Sequence, residues 1–113
     1  MPTVNIFQNS KEFEYKLKAS IPKLKKLIAK ELSGKSIYLS ADEISVRLVD
    51  VNGEGMLAKV ELEIYAAAFE ERVKRQDEIC LGIQKYLVDA LNTDVKVWLI
   101  LSELGHSWQI LNK

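Results

Sequence analysis

The sequence predicts an α+β domain in which two βαβ repeats form a four-stranded mixed sheet with two helices on one face. Two observations carry this. Two long stretches, 11–32 and 69–91, place apolar residues at steps of mostly three and four, the period of a helix that buries one side. Each is flanked by short β-prone runs that either alternate or are continuously apolar, as half-buried and fully buried strands do. Strand, helix, strand therefore occurs twice, in pseudo-repeats 3–51 and 56–101, followed by a tail over 102–113.

Residues 3–7 are the first strand, with Val4 and Ile6 on one face and Asn5 and Phe7 on the other. Ser10 suits the N-cap of the helix that follows. In that helix Phe13, Leu17, Ile21, Leu24, Ile28 and Leu32 form the apolar stripe, and most of its lysines lie off it. Pro22 interrupts the stripe and predicts either a kink or a true start near Ser20. Gly34 is expected to close the helix in the left-handed conformation. After a connector over 36–42, residues 43–51 alternate. Asn52-Gly53-Glu54-Gly55 reads as a turn. Residues 56–65 alternate more cleanly, with Met56, Ala58, Val60, Leu62 and Ile64 facing a core. The second helix carries Phe69, Val73, Ile79 or Cys80, Ile83, Leu87 and Leu91 on its apolar side. Glu70 and Glu71 suit its positive first turn, and Arg72, Lys74 and Arg75 are expected on its surface. Residues 95–101 are nearly all apolar, as in a central or doubly covered strand.

Composition narrows the function classes. At 113 residues the chain supports one core. A hydrophobic fraction of 48%, a charged fraction of 28% and a formal net charge of zero suit a soluble globule and leave no electrostatic footprint for nucleic acid. No apolar run is long enough to span a membrane, and the N-terminus has no signal-peptide pattern. Cys80 is the sole cysteine, so no internal disulfide forms, and a reducing, cytoplasmic setting is expected. One histidine, His106, far from Cys80 gives no metal-ligand spacing, and His106 is assigned no role.

Two sheet topologies share this element order. In a ferredoxin-like arrangement, 44–51 and 56–66 pair as a hairpin, which Asn52-Gly53 favours locally. In the other, the two halves meet through their first strands, so the second and third strands are not neighbours. With both helices on one face, Val49, Leu57, Trp98 and Ile100 need covering, as do the apolar groups of the tail; an oligomer is expected.

The chemistry-bearing candidate is Pro2. The sequence opens Met1-Pro2-Thr3-Val4, and initiator methionine is commonly removed before such a residue. Pro2 would then carry a secondary amine. At the head of a buried strand that amine is desolvated, which disfavours its charged form and draws its pKa toward neutrality, as a proton-transfer base requires.

Met1-Pro2 before a short strand, the helix ending Leu32-Ser33-Gly34-Lys35, the strand Ile44-Ser45-Val46-Arg47-Leu48-Val49 and the end of the second half near Gly105-His106-Ser107-Trp108 together resemble the tautomerase superfamily. The likeness is to its two-repeat branches, those of macrophage migration inhibitory factor and 5-carboxymethyl-2-hydroxymuconate isomerase. The resemblance implies the second topology, a homotrimer, no cofactor and no metal. It also implies a small anionic substrate, an enol or unsaturated 2-keto acid, with the N-terminal proline as general base. Carried over residue by residue, Pro2 matches the base, Lys35 the cation after the first helix, and Arg47 an arginine of the second strand, whose donors fit a carboxylate. Trp98 and Trp108 would supply apolar walls around Pro2. The run Glu70-Glu71-Arg72-Val73-Lys74-Arg75 departs from the glycine-containing segment of the inhibitory factor.

Overall fold

The computed structural model describes residues 2–52, 55–103 and 109–111. Its elements are β1 (Thr3–Gln8), a 3₁₀ turn (Lys11–Phe13), α1 (Glu14–Leu32), a second 3₁₀ turn (Ala41–Glu43), β2 (Ser45–Asp50), β3 (Val60–Ala67), α2 (Glu70–Lys74), α3 (Gln76–Leu91) and β4 (Val95–Ser102).

The sheet order is β2-β1-β3-β4. β1 runs parallel to β2 and antiparallel to β3, and β3 runs parallel to β4. Each half is thus a parallel pair with a helical crossover, and the halves join through β1 and β3. The ferredoxin-like hairpin is excluded, because β2 and β3 are separated by β1. The local hairpin signal at Asn52-Gly53 loses to the pairing of β1, which is buried on its helix side along its whole length.

Alternation in β1 puts Val4, Ile6 and Gln8 under the helices, all fully buried. Register carries that face across the sheet through Leu62 and Ile64 to Val97 and Leu99. Leu17, Leu24, Ile28 and Leu32 of α1 and Ile79, Ile83, Leu87 and Leu91 of α3 close the core from above. The opposite face is open. One row across it reads Arg47, Asn5, Glu63, Trp98, and the next reads Val49, Phe7, Glu61, Lys96. Trp98 is 53% exposed there.

Several local expectations are corrected. α1 begins at Glu14 and runs through Pro22, so no start near Ser20 exists. Pro22 faces solvent, where water can take the carbonyl its missing N–H leaves unpaired. Gly34 has no positive φ, and among the described glycines only Gly55 does. The cap of α1 is Ser33 in extended conformation, its hydroxyl donating to the Ala29 carbonyl at 2.6 Å. β3 starts at Val60 rather than Met56, because the amides of Leu57 and Ala58 donate to the Glu61 carboxylate at 2.6 and 3.1 Å and cannot join a ladder. The second crossover is two helices. Arg75, at φ −110° and ψ 13°, breaks it and rotates the short α2 relative to α3. Val73, expected in the core stripe, is therefore 44% exposed, and Arg72, expected on the surface, is 4% exposed.

Candidate active site at the head of the first strand

Pro2 is buried. Its carbonyl accepts from the Ser45 N–H at 3.1 Å, which extends the β1–β2 ladder one step beyond Thr3. Counting back from the register of Thr3 with Ser45 and Tyr65 sets Pro2 level with Ile44 and Ala66, and Ala66 with Leu101. Ile44 and Ala66 are 2% and 7% exposed. The surroundings of Pro2 on the sheet are therefore apolar, a setting that penalises a charged nitrogen.

The C-terminus of α1 reaches this same end of the sheet, and its last carbonyls are all engaged, as a buried helix end requires. The carbonyls of Ala29 and Lys30 accept from the Ser33 N–H at 3.1 and 3.3 Å. That of Glu31 accepts from Arg75 Nη1 at 3.2 Å, and that of Leu32 from Arg72 Nε at 3.0 Å. Two arginines of the second half thus cap the helix of the first. Arg72 also donates through Nη1 to the Ala67 carbonyl at 3.1 Å, and its guanidinium lies 4.8 Å from the centre of the Phe69 ring. Burial lowers its pKa from the ordinary arginine value, yet a guanidinium stays charged at any physiological pH. It has no carboxylate partner among the described residues.

Lys35 lies in the exposed turn after α1. It does not cap the helix, a place Arg72 and Arg75 fill. Instead its backbone N–H donates to Glu71 Oε2 at 3.0 Å, and Ser36 Oγ donates to Glu71 Oε1 at 3.2 Å. A carboxylate from α2 occupies the amide-lined turn. Gly34 leaves room for it, since a Cβ there would meet the end of the Glu71 side chain and displace the carboxylate.

Arg47 is exposed on the open face and forms no ion pair within the chain among the described residues. Asp50 accepts from Gln8 Nε2 at 3.0 Å and Glu63 from the Tyr65 hydroxyl at 3.3 Å. Trp98 shares the open face, with Lys96 Nζ 5.5 Å from its ring centre, beside a cleft of about 360 Å³ that also involves Phe7, Met56 and Glu63. Trp108 and His106 lie outside the described residues. Within one chain, Pro2 is brought together with the α1 terminus and the β3 terminus. Arg47 and Trp98 sit across the sheet from it.

The sequence reading missed Arg72, Arg75 and Glu71. Helical periodicity assigned Arg72 and Arg75 to solvent, and no local pattern announces a side chain that caps another helix. Among the described residues no group of three or more acidic, His or Cys side chains could hold a metal ion, and no helix is long and apolar enough to cross a membrane.

No family model matches the chain, and no curated protein matches it by sequence. Solved structures do match. A macrophage migration inhibitory factor-like protein from Entamoeba histolytica superposes with TM-score 0.65 at 10% identity, over 90% of this chain and 89% of its own. A wild-type fused 4-OT, solved as an asymmetric trimer, gives 0.68 at 10% identity over 95% and 94% of the two chains. A member of the cis-3-chloroacrylic acid dehalogenase family gives 0.64 at 12% identity over 98% and 84%. The fold is thus the tautomerase fold, over nearly the whole chain.

Proposed function

We propose that the chain is a cofactor-independent tautomerase that moves a proton within a small enol or unsaturated 2-keto acid, with Pro2 as general base. The observation that carries this reading is the burial of Pro2 at the head of β1, in an apolar row where β2 and β3 flank it. Removal of Met1 exposes the ring nitrogen. That nitrogen takes a proton from the carbon or oxygen of the substrate and returns it to the other position. Lys35 and Arg47 bind the substrate carboxylate, and Trp98 and Trp108 exclude water.

Within one chain Arg47 and Pro2 face opposite sides of the sheet. The reading therefore includes a homotrimer closed over the open face, which brings Arg47 to a subunit boundary and covers Val49, Trp98 and Ile100. The solved trimers of the fused 4-OT proteins support this assembly. A cytoplasmic setting belongs to the same reading.

The test is ketonisation of phenylenolpyruvate by tag-free protein whose intact mass shows loss of Met1. Pro2→Ala is expected to lower kcat/KM by about 10²- to 10⁴-fold, the worth of a positioned base. A mature protein with no rate above buffer overturns the proposal. A second reading, a trimeric tautomerase-fold protein without catalysis, is favoured by Glu71, whose carboxylate occupies the turn at Lys35 and Ser36. Retention of Met1 would select it.

A further inference from the structure

We propose that the cleft at the tail of β1, at the far end of the sheet from Pro2, binds the ammonium group of a small amine. The cleft has a volume of about 330 Å³ and is bordered by residues 8–11 and 50–52. Gln8 is fully buried, whereas Asn9, Ser10, Lys11, Asp50 and Asn52 around it are exposed. Parallel pairing sets Gln8 level with Asp50, and the Val51 N–H donates to the Gln8 carbonyl at 2.7 Å, which holds the two strand ends together. Gln8 Nε2 donates to Asp50 Oδ1 at 3.0 Å. A carboxylate only accepts, so this contact fixes which end of the Gln8 amide is nitrogen. The other end, Oε1, is a buried acceptor that meets no donor among the described residues. Such an acceptor costs free energy that a bound donor recovers.

The chemistry of the ligand follows from the groups left open. Asp50 Oδ2 is 4.0 Å from Lys11 Nζ, too long for a hydrogen bond, and both side chains are more than half exposed. Oδ2 and Gln8 Oε1 are therefore two acceptors on adjoining side chains, one of them charged, without a donor among the described residues. A primary ammonium carries three donors on one positive centre and suits both. The Lys11 ammonium shows the polarity of the place and, being exposed, can yield to a ligand. A divalent metal ion fits less well, because the cleft offers one carboxylate with a lysine beside it. The same carboxylate disfavours an anion. Ser10 Oγ accepts from the Glu12 N–H at 3.2 Å, so the first turn draws its acceptor from the chain itself. Nothing in this placement depends on Pro2 being a base.

The experiment is an NMR titration of ¹⁵N-labelled protein with ethanolamine, following the Gln8 side-chain amide and the backbone amides of residues 8–11 and 50–52. Saturable shifts confined to that set are expected, with a Kd of about 1 mM for two charge-assisted contacts in an open cleft. Choline keeps the positive charge without an N–H, and ethylene glycol keeps a hydroxyl without the charge. Both should bind at least about tenfold more weakly. Asp50→Asn should weaken ethanolamine binding about tenfold, and Lys11→Met, which removes the competing ammonium, should tighten it about threefold. Gln8→Leu removes the orphaned acceptor, so it should abolish the saturable shifts while Tm stays at or above that of wild type. Asp50 is exposed, and its variant keeps the test decisive if Gln8→Leu does not fold. No saturation by about 50 mM, equal binding of choline, or an unchanged Kd in Asp50→Asn overturns the proposal. The same shifts produced by potassium chloride, calcium chloride or inorganic phosphate overturn it too, since they mark an ion site of another kind. A lower Tm in Gln8→Leu with ethanolamine affinity unchanged assigns Gln8 to the fold alone and removes it from the site.

Discussion

The two crossovers perform the same topological task by different means. The first is a single helix of 19 residues whose buried side is wholly apolar. The second breaks at Arg75 into helices of 5 and 16 residues, and its short first part buries an arginine. The unbroken helix ends with two carbonyls, those of Glu31 and Leu32, that take donors from the other half, and the broken crossover supplies them. What the second half gives up in helical continuity it returns as a fixed positive charge at the end of the sheet where Pro2 lies. Internal repetition at the level of elements therefore coexists with division of labour at the level of side chains.

Breaking each crossover at its own kind of anchor sharpens this contrast. In the first, Leu24→Ala empties a fully buried site and should lower unfolding free energy by about 4 kcal/mol. In the second, Arg72→Met leaves the Leu32 and Ala67 carbonyls without donors and should cost about 3 kcal/mol. Val73→Ala, one position on, should cost less than about 0.5 kcal/mol because Val73 is on the surface. Urea denaturation of the three variants checks the order. A large loss at Val73 with a small one at Arg72 would restore the phase of a continuous helix and remove the contrast.

The ease with which each half is read from sequence differs for the same reason. α1, β1 and the later part of β3 are buried on one side by apolar groups, so period and burial coincide: Leu17, Leu24, Ile28 and Leu32 on the helix, Val4 and Ile6, then Leu62 and Ile64 on the strands. Burial through polar contacts leaves no such pattern. Arg72 follows Phe69 by three residues and stacks on its ring, but nothing near it in sequence indicates that its acceptors are Leu32 and Ala67. Strand order was equally hidden, since Asn52-Gly53 is a sound hairpin signal, and only the resemblance pointed to β1 and β3 as neighbours. Of the candidate site, the position of Pro2 at the start of a buried strand could be read locally. The side of the sheet on which Arg47 and Trp98 stand relative to it depends on register.

A smaller effect is expected where the halves clasp each other at the surface. Gly34→Ala brings a Cβ against the Glu71 carboxylate and should expel it from the Lys35–Ser36 turn. The contacts are exposed, so the loss should be about 1 kcal/mol. Glu71→Ala removes the same two hydrogen bonds and the obstacle together. The double variant should then be no less stable than Glu71→Ala alone, and thermal melts of the four proteins give the coupling. Additive losses would mean that Gly34 is required for some reason other than Glu71.

The smallest effect concerns the packing of α3 on β4 and appears only at alkaline pH. Cys80 is half-buried on α3. Burial raises its thiol pKa above the ordinary 9.0; a backbone hydrogen bond at Leu99 opposes this, and Asp77 adds to it. A thiol whose pKa is raised on folding favours the native state while it is protonated. That contribution is fully present below the unfolded pKa and is lost as pH rises through the higher folded value. Unfolding free energy should therefore decline above about pH 9 in wild type and less steeply in Cys80→Ala. Because the thiolate is the reactive form, alkylation of native protein by iodoacetamide at pH 8 should also be slower than alkylation of the urea-unfolded chain. No corresponding titrating group lies in the buried stripe of α1, so the same alkaline decline in Leu24→Ala and wild type, together with its reduction in Cys80→Ala, would assign it to the second crossover. Equal slopes in wild type and Cys80→Ala would place its origin elsewhere in the molecule.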